Sequence, residues 1–362
     1  MFFKCTHAHH APAARSPADE GAAGAVVSNG SKTLVVDVHC HRECQAAMEM
    51  MKAEAERVGF VPLQFGNDIT RKVNAAQIEF IKPKMLSLEE RIADMDRMGV
   101  DIQAVSISPY QFYYWAEPEI GRKASRMEND DLAEAVAQHP DRLVGLGTVP
   151  LQNTDMAVAE MERCVGELGF RGLEINTHVG GDELSAERLA PFWARAEELG
   201  ILLFMHPAGY TSPERFGDHY FLNIIGHPLE STIAISQLIF GGVIDRHPGL
   251  KICVAHGGGF LPGYAGRMDH AYHAREDVSH GLPNPPGEYL KRFYFDTMVF
   301  APDQIEFLVE KYGADHVLLG TDYPYDMGED DPVGLVARAG KLTGEQRARV
   351  CGGSAAELLG LN

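Results

Sequence analysis

Residues 33–41 read TLVVDVHCH, an apolar run that stops at a histidine. The run Leu34–Val38 has the length and the β-branched content of a buried strand, and His39 and His41 follow at its end. Because alternate residues of an extended chain point to the same side, the two imidazoles would share one face and could chelate one cation. This stretch predicts a first strand that carries part of a metal site.

The chain beyond this strand alternates short apolar runs with amphipathic segments. Seven more strands are predicted, at 102–107, 143–148, 172–175, 201–205, 251–255, 293–296 and 316–320. Helices are predicted at 87–98, 128–138, 156–168, 186–199, 229–244, 261–274, 304–312, 332–339 and 345–351. Strands that alternate with helices imply a parallel sheet, and eight such units favour a closed (β/α)8 barrel, the TIM barrel, over an open sheet. No GxGxxG turn follows the first strand, which removes the main support for a Rossmann fold.

Two parts of unequal length are predicted. Residues 1–32 are rich in Ala, Gly, Ser and Pro without periodicity and are expected to be a disordered or irregular tail, whose histidines at 7, 9 and 10 no rigid element would orient. The barrel is predicted to occupy residues 33–362, with long inserted loops at 42–86 and 207–228. Each loop follows a strand that ends in histidine, so both are expected on the catalytic face, where they could cover a pocket.

Composition limits the classes of partner. The formal net charge is −19, which opposes binding to nucleic acid or to anionic lipid, although local arginines could still admit an anionic small molecule. No apolar run has the ~18 residues that a membrane span requires. The six cysteines contain no CxxC pair, which favours reduced thiols in a cytoplasmic protein over a disulfide framework.

Three more predicted strands end in residues that can bind a metal. One strand ends at His206 in the segment LFMHP, another at His256 in CVAHGGG, and a third at Asp322 in LLGTDYP. A single histidine at a strand end is usually an ordinary polar residue, but four strand ends with such residues in barrel order are hard to explain by chance. Imidazoles with a carboxylate suit Zn²⁺, and also Mn²⁺ or Fe²⁺. The ligand set is therefore predicted as His39, His41, His206 and Asp322.

The remaining histidines receive other predictions. His256 is not needed to complete a shell of four ligands, so a role as general acid/base is favoured over a role as a hydrogen-bond donor behind the ligands. His139, His227 and His247 each precede a proline and are predicted to be structural.

Longer segments resemble the amidohydrolase superfamily, and in particular its branch of aminocarboxymuconate-semialdehyde decarboxylase type. They include RIADMDRMGVDIQAVS at 91–106, GHPLESTIAISQLIFGGVIDRHPGLKICVAHGGGFLPGYAGRMDHAY at 226–272 and VLLGTDYPYDMGE at 317–329. The resemblance implies a metal-dependent, non-oxidative decarboxylase that acts on a carboxylated hydroxyaromatic or on a carboxymuconate semialdehyde from ring cleavage. One divalent ion is implied, Zn²⁺ before Mn²⁺. A hydrolase or hydratase that uses the same site is the alternative.

The resemblance also implies roles for individual residues. The four predicted ligands match those of the family, and His256 matches its catalytic acid/base, which would act with Asp322. Arg267 in GYAGRMDH matches an arginine that reaches a substrate carboxylate from the neighbouring subunit, which implies a homodimer or a dimer-based oligomer. His178 and Tyr323 are further expected to contact substrate.

Two features of the sequence bear on how far the resemblance extends. Strand four, RGLEINTH, lacks the lysine that bridges two metals in binuclear relatives, which favours a mononuclear site. Typical members carry another substrate arginine where this chain has Glu79. Lys82, Lys84 and Arg71 are the candidates to replace it.

Overall fold

The structure, a computed structural model, describes residues 27–28, 31–60, 66–209 and 215–361. Eight strands form one sheet in which neighbouring strands are parallel. In chain order they are β1 Val36–Arg42, β2 Ile102–Ile107, β3 Leu143–Gly147, β4 Gly172–Ile175, β5 Leu202–Met205, β6 Lys251–Val254, β7 Tyr294–Asp296 and β8 Val317–Leu318.

The first and last strands close the sheet on itself. The backbone N–H of Val38 donates to the carbonyl of Leu319 at 3.0 Å, and that of His41 donates to the carbonyl of Tyr323 at 2.8 Å. This confirms the predicted (β/α)8 barrel. β1 runs through both of its histidines to Arg42, four residues beyond the predicted apolar run.

Helices follow the strands around the barrel. They are α1 Gln45–Val58, α2 Asp68–Leu86, α3 Leu88–Met98, α4 Pro118–Gln138, α5 Thr154–Gly166, α6 Ala190–Leu199, α7 His227–Phe240, α8 Val243–Arg246, α9 Leu261–Ala274, α10 Glu276–Ser279, α11 Pro286–Leu290, α12 Pro302–Tyr312, α13 Pro332–Ala337, α14 Gly344–Ala348 and α15 Ser354–Leu359. α4 begins ten residues before the predicted start, with Pro118 in its first turn, where a proline costs no hydrogen bond.

The interior of the barrel is packed with side chains that are almost inaccessible to solvent. These side chains belong to Val36, Val38, Ala104, Leu146, Leu202, Phe204, Cys253, Ala255 and Leu318. β4 approaches β5 so closely at Gly172 that a Cβ there would collide with the carbonyl oxygen of Leu202. The interior is thus a solid core, and room for a ligand lies beyond the carboxyl ends of the strands.

The segment 42–86 is not the irregular loop that the sequence predicted, because it contains α1 and α2. Asn67 caps α2 by accepting a hydrogen bond from the backbone N–H of Thr70 at 2.9 Å. In the segment 207–228, a π-helical turn at Leu222–Gly226 leads directly into α7, so the connection ends earlier than predicted.

Part of the predicted tail also has regular structure. Val27–Ser28 pairs with Ser31–Lys32 as a short antiparallel ladder. The rest of the tail lies outside the described residues, so its predicted irregularity stays a prediction. No helix in the described part of the chain has the length and hydrophobicity needed to cross a membrane.

Candidate metal centre

Side chains from three parts of the barrel meet at the carboxyl ends of its strands. His39 and His41 lie on β1, His206 follows β5, and Asp322 follows β8. One ligand atom from each of the four lies within 4.8 Å of the others, and all four residues are buried. The structure therefore brings together the complete predicted ligand set.

Each ligand of this cluster has a buried polar atom without a hydrogen-bond partner among the described residues. These atoms are His39 Nε2, His41 Nε2, Asp322 Oδ1 and the ring nitrogens of His206, of which one can face the cluster. The first two lie 3.2 and 3.4 Å from Asp322 Oδ1, at ion-pair distance but without hydrogen-bond geometry. Burial of unpaired polar atoms is costly, and a divalent cation would satisfy one such atom of each of the three imidazoles and of the carboxylate. The residues fit a metal ion, and we identify the cluster as a metal-binding site.

The two histidines of β1 are oriented through their other ring nitrogen. His39 Nδ1 lies 2.6 Å from Asp296 Oδ2 at the end of β7, and His41 Nδ1 lies 3.1 Å from the carbonyl oxygen of Ile107. Donation from Nδ1 leaves Nε2 free to bind a cation. Asp296 also accepts hydrogen bonds from the backbone N–H groups of His256 and Gly257 at 3.1 and 2.8 Å. One carboxylate thus holds a ligand and the turn after β6.

Sequence analysis missed Asp296, although a signal was present. It ends the predicted seventh strand in the motif FYFD and so occupies the same kind of position as the ligands.

A second buried network fixes the backbone between β1 and β8. Thr321 Oγ1 donates to Asp37 Oδ2 at 2.6 Å, and Gln103 Nε2 donates to the same oxygen at 3.0 Å. The backbone N–H of Asp322 donates to the carbonyl of His39 at 2.8 Å. These bonds hold Asp322 in the left-handed region at φ 52°, which is unusual for a residue with a side chain and occurs most often at functional sites.

The charges of the metal-free cluster follow from burial and from two carboxylates. Burial opposes a charge on His39, yet Asp322 and Asp296 raise its pKa to about 10. Burial also opposes the charge of Asp322, but the histidines of β1 hold its pKa well below the usual range. Burial lowers the pKa of His206 far below its ordinary value and that of His256 to about 4. His206 and His256 are therefore neutral imidazoles, and His206 carries no proton that a metal would have to displace.

His256 lies beside the cluster, where the sequence placed it. Its Nε2 is 4.0 Å from Asp322 Oδ2, and its ring centroid is 4.9 Å from that of His206. His256 has φ 57°, and Gly257 after it also has a positive φ and no room for a Cβ beside Val299. The HGGG turn thus requires glycine and aims the imidazole at the ligands.

The three predicted substrate contacts have different surroundings. Arg267 is exposed on α9 and makes no hydrogen bond or ion pair with the described residues. His178 is half-buried, and its Nδ1 has no partner among the residues that the structure describes. Tyr323 contacts α3: its hydroxyl donates to Asp94 Oδ2 at 3.0 Å, and its ring packs 4.9 Å from the guanidinium of Arg91. Its contact with substrate stays a prediction.

Other residues near the centre were not predicted. The ring of Tyr325, two positions after Tyr323, lies 5.6 Å from that of His41. Glu174 on β4 has an oxygen 3.7 Å from His41 Nδ1. His227, which the sequence suggested was structural, has its ring centroid 6.0 Å from that of His256.

The candidates for the absent loop arginine are also placed. Lys84 is engaged with Asp94 at 2.7 Å, and Arg71 contacts Asp68 and the carbonyl of Gly66. Lys82 is exposed and makes no hydrogen bond or ion pair within the described segments. It is the one of the three that is free to meet a ligand.

The family described as Amidohydrolase matches residues 36–361. The chain belongs to the amidohydrolase family. The match covers the whole barrel, from β1 through α15, and so includes every residue of the metal-binding site.

Similar relatives include decarboxylases and, at 26% identity over 80% of this chain, the 2-keto-4-carboxy-3-hexenedioate hydratase of Sphingobium sp.. The 2-amino-3-carboxymuconate-6-semialdehyde decarboxylase of Dictyostelium discoideum is 38% identical over 75% of this chain and 76% of its own length. The gamma-resorcylate decarboxylase of Rhodococcus jostii is 28% identical over 72% of this chain and 84% of its own. The two decarboxylases confirm the predicted decarboxylase class and favour it over the hydrolase or hydratase alternative.

A solved structure of a similar protein agrees with the decarboxylase class. It is the 5-carboxyvanillate decarboxylase of Novosphingobium aromaticivorans in complex with manganese and 4-hydroxy-3-methoxy-5-nitrobenzoic acid. It is 25% identical, superimposes with a TM-score of 0.79, and the alignment covers 93% of this chain and 99% of that one.

Proposed function

We propose that this chain catalyses the metal-dependent, non-oxidative decarboxylation of a carboxylated hydroxyaromatic or of a related carboxymuconate semialdehyde. The observation that carries the proposal is the buried set of three histidines and one aspartate whose free polar atoms face one another, with His256 beside it. One divalent ion per chain is proposed, Zn²⁺ first and Mn²⁺ as the alternative, since three imidazoles and a carboxylate suit both.

A bound divalent ion would act as a Lewis acid, held by His39, His41, His206 and Asp322. The two oxygens of Asp322 have different neighbours: Oδ1 faces the histidines of β1, whereas Oδ2 faces His256 Nε2 at 4.0 Å. This arrangement allows Asp322 and His256 to hold one proton between them at the side of the cluster where a substrate would bind.

The proton is delivered to the carbon that bears the carboxylate. The new C–H bond forms there, the bond to the carboxyl carbon breaks, and its electron pair returns to the ring as CO₂ leaves. One proton enters and one CO₂ leaves, so the reaction needs no oxidant. His256, which is neutral in the metal-free cluster, is the proposed donor once it has taken up from solvent the proton that it shares with Asp322. Asp296 fixes the backbone of the turn that carries His256, and the His256 side chain points at Asp322.

Arg267 is proposed to bind the substrate carboxylate of a neighbouring subunit in a homodimer or dimer-based oligomer. Its exposure on α9 and its lack of a partner within its own chain favour this role. A guanidinium can hold a carboxylate through two parallel charge-assisted hydrogen bonds. His178 is kept as a substrate contact because its buried Nδ1 lacks a partner in the described part of the chain. The five described cysteines are free and buried, which supports the expected cytoplasmic location.

The test is CO₂ release by the purified chain in three forms: as isolated, stripped of metal by a chelator, and reloaded with Zn²⁺ or Mn²⁺. The substrate panel contains hydroxylated benzoates and a carboxymuconate semialdehyde. We expect release only with bound metal, and none from His206→Ala. His280→Ala, which removes an exposed histidine, should behave as wild type. Turnover of the panel without CO₂, or equal turnover after complete removal of metal, would contradict the proposal.

A further inference from the structure

His227 is the first residue of α7 and directly follows the π-helical turn after β5. Its imidazole lies nearly parallel to that of His256, with ring centroids 6.0 Å apart and planes at 29°. The centroid of the His206 ring is 6.5 Å away. His227 therefore borders the space in front of a metal ligand and of the proposed proton donor.

The imidazole of His227 is not held by hydrogen bonds within the described part of the chain. It is half-buried, and neither ring nitrogen makes a hydrogen bond there. Structural histidines elsewhere are bonded: His247 Nδ1 lies 3.0 Å from Glu197, and His316 Nδ1 lies 2.8 Å from the carbonyl of Phe293. An imidazole beside the proposed catalytic site that makes no hydrogen bond within the described residues keeps both ring nitrogens available for a ligand.

The hydrogen-bonding capacity of His227 narrows the kind of ligand. An imidazole offers a donor nitrogen and an acceptor nitrogen, which match a hydroxyl group that both donates and accepts. The substrate carboxylate is already assigned to Arg267 and the metal-binding site, so the hydroxyl is the polar group that remains for His227.

We propose that His227 determines substrate specificity by hydrogen bonding to a phenolic hydroxyl group next to the carbon that loses CO₂. The inference rests on the proposed decarboxylation and adds the substituent that the site recognises. It divides the polar groups of the substrate among the residues: the carboxylate meets Arg267 and the metal-binding site, and the hydroxyl meets His227.

The experiment measures ligand binding and turnover separately. Calorimetry gives the Kd of a nitrophenolic inhibitor and of its methyl ether for the metal-loaded wild type, His227→Met and His227→Gln. Met keeps much of the volume without hydrogen bonds, whereas Gln restores a donor and an acceptor. His139→Met is the matched control, since His139 also precedes a proline but ends α4.

We expect His227→Met to weaken binding of the phenol, and to lower kcat/KM for the hydroxylated substrate, by roughly 3- to 10-fold, the usual worth of one hydrogen bond. The methyl ether should bind almost unchanged, Gln should recover part of the loss, and metal content should stay at the wild-type value. Equal losses on phenol and ether, a loss of metal, or a wild type that does not distinguish the two ligands would overturn the inference. A protein that binds the phenol through His227 but releases no CO₂ would contradict the proposed function alone.

Discussion

Replacement of Asp296 by asparagine should weaken metal binding without any change of a ligand. Asp296 Oδ2 lies 2.6 Å from His39 Nδ1 and 3.1 Å from the backbone nitrogen of His256, while Oδ1 accepts from the backbone nitrogens of Gly257 and Met298 at 2.8 and 3.1 Å. An amide has one oxygen in place of two. Whichever way the amide is turned, its NH₂ group, itself a donor, replaces an accepting oxygen and faces N–H donors.

The size of the effect follows from this loss. Removal of the carboxylate behind a metal-bound histidine typically costs roughly 10- to 100-fold in affinity. That loss corresponds to about 1.4 to 2.8 kcal/mol of binding free energy. The effect on His39 should dominate, because the shortest of the four contacts of Asp296 is the one to His39 Nδ1.

The assay is competition for Zn²⁺ or Mn²⁺ against a chromophoric chelator. Asp303→Asn is the control, since Asp303 is exposed at the start of α12. Thermal unfolding in excess chelator shows whether the fold survives the substitution. Wild-type metal affinity in a folded Asp296→Asn protein would refute the argument that Asp296 orients His39.

Three further outcomes are expected. His256→Ala should retain its metal and lose roughly 10²- to 10⁴-fold in kcat, as for a general acid/base; loss of metal in this variant would make His256 a ligand. Arg267→Ala should raise KM with metal content unchanged, and Arg267→Lys should restore the wild-type KM poorly. Mixing Arg267→Ala with inactive Asp322→Ala should restore activity through hybrid dimers; no recovery in verified hybrids would contradict a shared site. Removal of Met1–Gly30 should change stability and turnover little, because the segment lacks an apolar face; a collapse of activity would show that it packs on the barrel.

The ligands could be predicted because the local geometry of a strand carries the necessary information. His39 and His41 are two residues apart in an extended segment, which places both imidazoles on one face whatever the surroundings. His206 and Asp322 follow apolar runs, and the carboxyl ends of the strands of a parallel barrel meet on one side. Sequence spacing therefore determined this part of the site.

The missed helices bury too little to produce a clear apolar period. In α1 only Ala47 and Met51 are buried, and in α2 only Ile81 and Met85. Their polar and charged residues resemble those of a loop. Helical structure there depends on local signals, such as the Asn67 cap, and on contact with the barrel, which a period of apolar residues does not report.

The remaining residues depend on geometry that the sequence does not contain. His227 precedes a proline, as structural turn residues often do, and only the path of the segment after β5 brings it to His256. Tyr323 and Tyr325 both follow Asp322 closely, yet the turn sends the first to Asp94 and the second to His41. Such a choice is made by the tertiary packing around the turn.

Isotope incorporation during turnover tests the central claim, metal-dependent non-oxidative decarboxylation, most directly. The metal-loaded enzyme is run in D₂O without oxygen, CO₂ is quantified, and the product is examined by NMR. The account predicts one CO₂ for each product molecule and one deuterium on the carbon that carried the carboxylate, with neither after removal of metal. A product that keeps its carboxylate and gains the elements of water would contradict it.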